Sequence, residues 1–328
     1  MKKLLLLAAV LLSGLTAAHA QTDNTVTIAY NGNSATVTVA SNISSYVTVQ
    51  SGTSSHVKLV QSESVDALVG EITYTLSGSS TDGEFYMEGS YKASVELNGL
   101  TLTNPSGPAI NIQNGKRIKL SAKNGTVSTL TDGVNADYNG CVHCKGHLEL
   151  KGKGTLNVVG NSKHGIYSKE YMQVKNLTLN VTAATKDAIH CKEYFLMENG
   201  TLNLTGATDD GIQVEIDTDI PTTGITTDHE EENTGNFYML DGTLTISGYQ
   251  GKAIKADGTI TYSGGQQNFD TSDTEMLASV GYLKVAPSAA GATQVFDLRG
   301  RQYKSSGSLS KGLYVVRKDG KSTKVLVK

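Results

Sequence analysis

Carboxylates recur at a fixed interval in this chain. Asp187-Ala188-Ile189 returns 23 residues later as Asp210-Gly211-Ile212, with Asp209 beside the second copy. If the two copies stack, their carboxylates stand ~5 Å apart and repel by roughly 1–3 kcal/mol at dielectrics between water and protein surface. A bound cation reverses that sign. Calcium takes roughly six to eight oxygens and tolerates irregular geometry, so Asp187, Asp209 and Asp210 with turn carbonyls and water would serve it. The competing reading is that aspartate favours turns and its charge is solvated there. Stacking makes that arrangement costly, and calcium is the expectation.

Counted from the repeated apolar anchor (Val142, Ile166, Ile189, Ile212, Ile254), other columns appear. Two residues before it stand Gly140, His164, Asp187, Asp210 and Lys252; one after it, His143, Tyr167, His190, Gln213 and Lys255. Three after it come Lys145, Lys169 and Lys192. Alternation turns the latter two columns outward if the anchor points inward. A lysine ladder with ~4.8 Å steps approximates the spacing of sugar units in an extended polysaccharide. Uronate carboxylates would pair with Lys145, Lys169 and Lys192, flanked by Tyr167 and His190, or bridge through calcium to the aspartates. The alternative is pairing of those lysines with Glu170 and Glu193, as surface ions commonly do. Tryptophan is absent, so a flat strip for neutral glucans would have only tyrosines such as Tyr167, Tyr171 and Tyr194, and acidic sugar is favoured. Cys141, Cys144 and Cys191 read as buried thiols, because ligands lined along a strand converge poorly on zinc.

These columns need elements that repeat in register. Thr155-Leu156-Asn157-Val158 becomes Thr178-Leu179-Asn180-Val181 and then Thr201-Leu202-Asn203-Leu204, each after 23 residues. It returns 42 residues on as Thr243-Leu244-Thr245-Ile246, after an acidic insertion holding Glu215, Asp217, Asp219, Asp228, Glu230, Glu231 and Glu232, which reads equally as a solvated loop or a second metal site. Met172, Phe195 and Phe237 form a further apolar column. Short alternating strands between Gly/Asn/Asp turns, repeated at this period, are the coils of a solenoid whose members cannot bury their apolar faces alone. The residue before each anchor is small (Ala109, Cys141, Gly165, Ala188, Gly211, Ala253), which predicts a tight corner. The fold expected is all-β: a right-handed parallel β-helix over residues 71–265, preceded by N-terminal capping strands at 21–70.

The chain has 328 residues and a net charge of −3. Residues 281–328 carry 10 Lys/Arg against 2 Asp/Glu, and residues 21–280 carry 16 against 29. An acidic body of this kind repels nucleic acid and attracts cations. The opening MKKLLLLAAVLLSGLTAAHA reads as a signal peptide over residues 1–20 with an A-x-A cleavage site. No later apolar run is long enough to span a membrane, and a secreted or surface-held monomer is expected.

Four segments carry a family resemblance: ITYTLSGSSTDGEF, VELNGLTLTNPSGPAINIQNGKRIKLSAKNGTVSTLTDG, HGIYSKEYMQVKNLTLNV and DDGIQVE. They resemble the carbohydrate-binding β-helix family first described from cellulose-degrading clostridia, which is similar in fold to pectate lyases. That resemblance implies binding of calcium and acidic sugars. It also places Asp187, Asp209 and Asp210 where an acidic calcium cluster is expected. The fourth carboxylate of that pattern falls near Gln213, so Glu215 or Asp217 would have to stand in. VFDLRGRQYKSSGSLSKGLYVVRKDGKSTKVLVK resembles the C-terminal sorting domain of the type IX secretion system of Bacteroidota. By that resemblance residues 266–289 are a linker with the last strands, and residues 290–328 are a small β-sandwich-like domain read by the secretion machinery and removed at the outer membrane. The leading function is binding of an acidic polysaccharide with calcium at the cell surface or outside it. A polyuronate lyase working by calcium-assisted β-elimination is the alternative enzyme. A structural or adhesive β-helix is the alternative without a sugar.

Overall fold

Alternation of apolar and polar residues sets each short strand with one face in and one face out, and the 23-residue period then lays like strand on like. The computed structural model describes residues 24–224 and 231–270, and the strands Gln294–Asp297, Gln302–Tyr303, Gly312–Lys318 and Lys321–Val327. The leader at 1–20 lies outside the described residues, as does all of the expected linker beyond residue 270. Among the described residues no helix is long and apolar enough to cross a membrane.

The body is a parallel β-solenoid. One wall is a nine-stranded sheet running from Val47–Ser51 to Ile254–Ala256. The other strands form a 16-stranded sheet folded into two further walls, which share the long strand Ala93–Asn104. Register follows the columns read from sequence. Ile110, Val142, Ile166, Ile189, Ile212 and Ile254 pair in succession, and Met172, Phe195 and Phe237 do the same on the next wall. The anchors are buried, each such side chain contributing about 1.5–3 kcal/mol. The Phe195 and Phe237 rings stack with centroids 5.2 Å apart.

The small residues before the anchors sit at a close approach between coils. A Cβ on Gly211 would meet Ile246 Cγ2 at 2.4 Å and the Ala253 carbonyl oxygen at 2.5 Å; one on Gly165 would meet Val181 Cγ1 at 2.6 Å. The ladders extend beyond the repeat at both ends. Thr25–Asn31 pairs in parallel with Ile72–Ser80, His56–Gln61 with Glu84–Gly89, and Gln266–Phe269 with Thr243–Ser247. The N-terminal strands therefore join the walls as well as covering their first coil. The C-terminal strands form a separate four-stranded antiparallel sheet.

Candidate functional site

The outward face of the nine-stranded wall collects the chemistry. Asp187 precedes the strand Ile189–Lys192 and lies one coil above His164, which opens His164–Ser168. Both His164 Nδ1 and His190 Nδ1 stand 3.1 Å from the same oxygen, Asp187 Oδ2. Its other oxygen accepts the Asp210 backbone N–H at 3.0 Å. Burial alone would raise the Asp187 carboxyl, but the two imidazoles overcome it and hold the group well below the usual carboxylate range. His164 goes the other way, because burial outweighs Asp187 and lowers it. His164 was visible as the member of the aspartate column one coil earlier. Its convergence with His190 depends on how two side chains from different columns lean together, which strand period does not encode.

The next coil holds the rest of the acidic cluster. Single oxygens of Asp187, Asp209 and Asp210 lie within 4.8 Å of one another. Asp210 Oδ1 accepts the Lys252 N–H at 2.7 Å. Asp210 Oδ2 is buried without a hydrogen bond and is faced by Lys255 Nζ at 3.4 Å. Burial raises the Asp210 carboxyl against the pull of the Lys252 N–H and Lys255. Gly251 leaves the space beside these oxygens open, since a Cβ there would lie 2.4 Å from Asp210 Oδ1 and 2.9 Å from Asp209 Oδ1. An all-oxygen set whose buried Asp210 Oδ2 accepts no hydrogen bond and faces only an ammonium is of the kind calcium takes. Glu215 turns elsewhere: its Oε2 faces His190 Nε2 at 3.4 Å, and its other oxygen accepts Gln213 Nε2.

The lysines share one column, as the pairing of their strands requires, but their partners are not Glu170 and Glu193. Lys192 Nζ donates to Asp217 at 3.0 Å, and Lys169 Nζ lies 3.6 Å from Asp219, both carboxylates belonging to the insertion. Burial would lower the Lys192 ammonium, yet Asp217 raises it further and fixes its charge. Lys145 and Lys169 are exposed, whereas Tyr167 and His190 are 9% and 8% exposed and present little surface to a ligand. Tyr167 lies stacked against His143, centroids 5.3 Å apart. Burial, then Lys145 and Lys163, pushes His143 down to about 4. Cys141, Cys144 and Cys191 are free and buried.

At the corner beyond the lysines, His147 stacks on Tyr171 at 4.0 Å and Tyr171 on Tyr194 at 4.8 Å. Glu170 pairs with His147 there, and Glu193 Oε2 lies 3.8 Å from the same ring nitrogen. Glu232 of the insertion, itself buried, accepts the Tyr238 hydroxyl at 2.7 Å and Asn236 Nδ2 at 3.0 Å. The described parts of the insertion, residues 214–224 and 231–236, are thus fastened beside the lysine column, while Asp228 and Glu230 lie outside the described residues.

Comparisons with known proteins bear on the family and the fold. A carbohydrate-binding domain-containing protein of Acetivibrio thermocellus is 26% identical over 111 residues, which are 31% of this chain and 39% of that protein. The solved polysaccharide lyase-like protein from C. thermocellum, a gadolinium derivative, superposes with a TM-score of 0.53 at 18% identity, covering 76% of this chain and 98% of that one. That likeness concerns the fold. The family model of carbohydrate-binding domain-containing proteins matches residues 62–314, and the chain belongs to that family.

Proposed function

We propose that the chain is an exported protein that binds an acidic polysaccharide, a polyuronate, with calcium held by Asp187, Asp209 and Asp210. The observation that carries this reading is the buried Asp210 Oδ2, which accepts no hydrogen bond inside an oxygen cluster 4.8 Å across. A divalent ion there converts repulsion among the carboxylates into attraction and leaves coordination positions for a uronate. Lys145 and Lys169, exposed on neighbouring coils, supply cationic partners of their own. Without the ion the acidic body would repel such a chain. Family membership supports the sugar, and the leader-like start supports export to the surface or the medium.

The test is polygalacturonate binding and melting temperature, with calcium and with chelator, for the wild type and Asp209→Asn/Asp210→Asn. Calcium is expected to raise both quantities in the wild type, since a ligand of the folded state stabilises it by mass action. The double variant is expected to lose both responses. Wild-type protein indifferent to chelator would sink the calcium reading. Release of unsaturated uronate during the assay would replace binding by lyase action.

A further inference from the structure

We propose that His164, Asp187 and His190 form a binding site for a zinc-class divalent metal ion, distinct from the calcium position, with Glu215 orienting His190 from behind. The donor atoms are two imidazole nitrogens and one carboxylate oxygen. Each Nδ1 lies 3.1 Å from Asp187 Oδ2, and all three atoms fall within 4.8 Å of one another. Metal–nitrogen and metal–oxygen bonds of ~2.0–2.1 Å in a tetrahedron put neighbouring donor atoms ~3.3 Å apart. The observed separations already approach that spacing. The three side chains are 8%, 1% and 10% exposed, so they are fixed from most sides.

One contact of this cluster is not a hydrogen bond. His164 Nδ1 accepts the backbone N–H of Asp187 at 3.3 Å, so its lone pair and not a proton is committed there. The 3.1 Å contact with Asp187 Oδ2 therefore sets two acceptor atoms side by side. A metal on the lone pair turns the Oδ2 contact into an edge of the coordination shell and displaces only the longer contact to the N–H. His190 carries the second signature. Its other nitrogen, Nε2, faces Glu215 Oε2 at 3.4 Å, and histidines that ligate metals ordinarily give their second N–H to such a carboxylate. Imidazole with carboxylate suits zinc, cobalt, nickel or iron, whereas calcium takes oxygen. Three protein donors leave a further position for water or a ligand oxygen. Asp187 thus stands between two chemistries, offering Oδ2 to the histidines and its second oxygen toward Asp210.

The test uses the full chain without a histidine tag, stripped by chelator and titrated with cobalt(II), read by visible d–d absorption and checked by zinc(II) competition. One equivalent of cobalt is expected, displaced by zinc and not by excess calcium. His164→Ala and His190→Ala should abolish it, and Glu215→Gln should weaken it by about 10–100-fold. Should either alanine variant fail to fold, His164→Gln and His190→Gln, checked by circular dichroism, replace them. Asp209→Asn/Asp210→Asn should keep cobalt binding while losing the calcium response, so the two readings fail separately. No stoichiometric cobalt binding by the wild type, or an unchanged spectrum in both histidine variants, overturns the site.

Discussion

Glu193 occupies the left-handed region with φ 63°, a conformation that costs a non-glycine residue about 1–2 kcal/mol. The surroundings hold it there. Its carbonyl accepts the N–H groups of Thr234 and Gly235, and its side chain accepts the Tyr171 N–H at 3.2 Å. Burial pushes its carboxyl up to about 7, with Glu170 adding to the rise and His147 opposing it. A group whose folded value is raised contributes stability below its unfolded value and loses it as pH climbs through the folded one. Melting temperature is therefore expected to fall between about pH 4.5 and 7 in the wild type, and Glu193→Gln should flatten that part of the profile. A profile unchanged by the substitution would mean that Glu193 ionises freely. At this scale the sequence showed which residues share a column, because the period fixes that. It did not show that Asp187 is gripped by imidazoles or that Asp217 reaches Lys192. Those contacts join different columns, or an insertion outside the repeat, and side-chain direction decides them.

At the level of the coil, register is set by the apolar anchors and protected by the small residues before them. Gly211→Val should clash with the backbone of the next coil, where a Cβ already comes within 2.5 Å of the Ala253 carbonyl. Overpacking of this kind costs about 1–3 kcal/mol, measurable as a lowered urea midpoint. Loss of less than about 0.5 kcal/mol would show that the corner can open, as surface substitutions do. The insertion lies outside the repeat, so the period says nothing of its contacts. Seven carboxylates without a neighbouring cation read equally as a solvated loop or a second metal site. In its described part, Asp217 and Asp219 lie against Lys192 and Lys169, so the proposed polyuronate would have to compete with them there. Asp217→Asn should release Lys192 and raise polygalacturonate affinity several-fold at low salt, since a partly exposed pair is worth up to about 1 kcal/mol. Unchanged affinity in a variant of normal stability would mean that the ligand does not reach Lys192.

Over the whole molecule, the repeat made the solenoid legible because each coil reuses one pattern. Its ends were harder to read. The strands Thr25–Asn31 and His56–Gln61 continue the ladders without the anchor motif, so periodicity alone missed their pairing. The basic C-terminal strands pair among themselves in a sheet separate from the solenoid walls, although the family match runs to residue 314. That separation supports treating the sorting-like tail as dispensable for the fold, and it sharpens a test of export. Removal of residues 290–328 deletes 9 of the chain's 28 basic residues and no strand of the solenoid ladders. The truncated protein should therefore keep the melting temperature and calcium response of the full chain. In a host with type IX secretion it should accumulate in the periplasm instead of reaching the surface. A truncated protein that melts early would show that the tail stabilises the solenoid. One that is stable yet still displayed at the surface would remove the sorting role and leave the basic sheet in need of another partner.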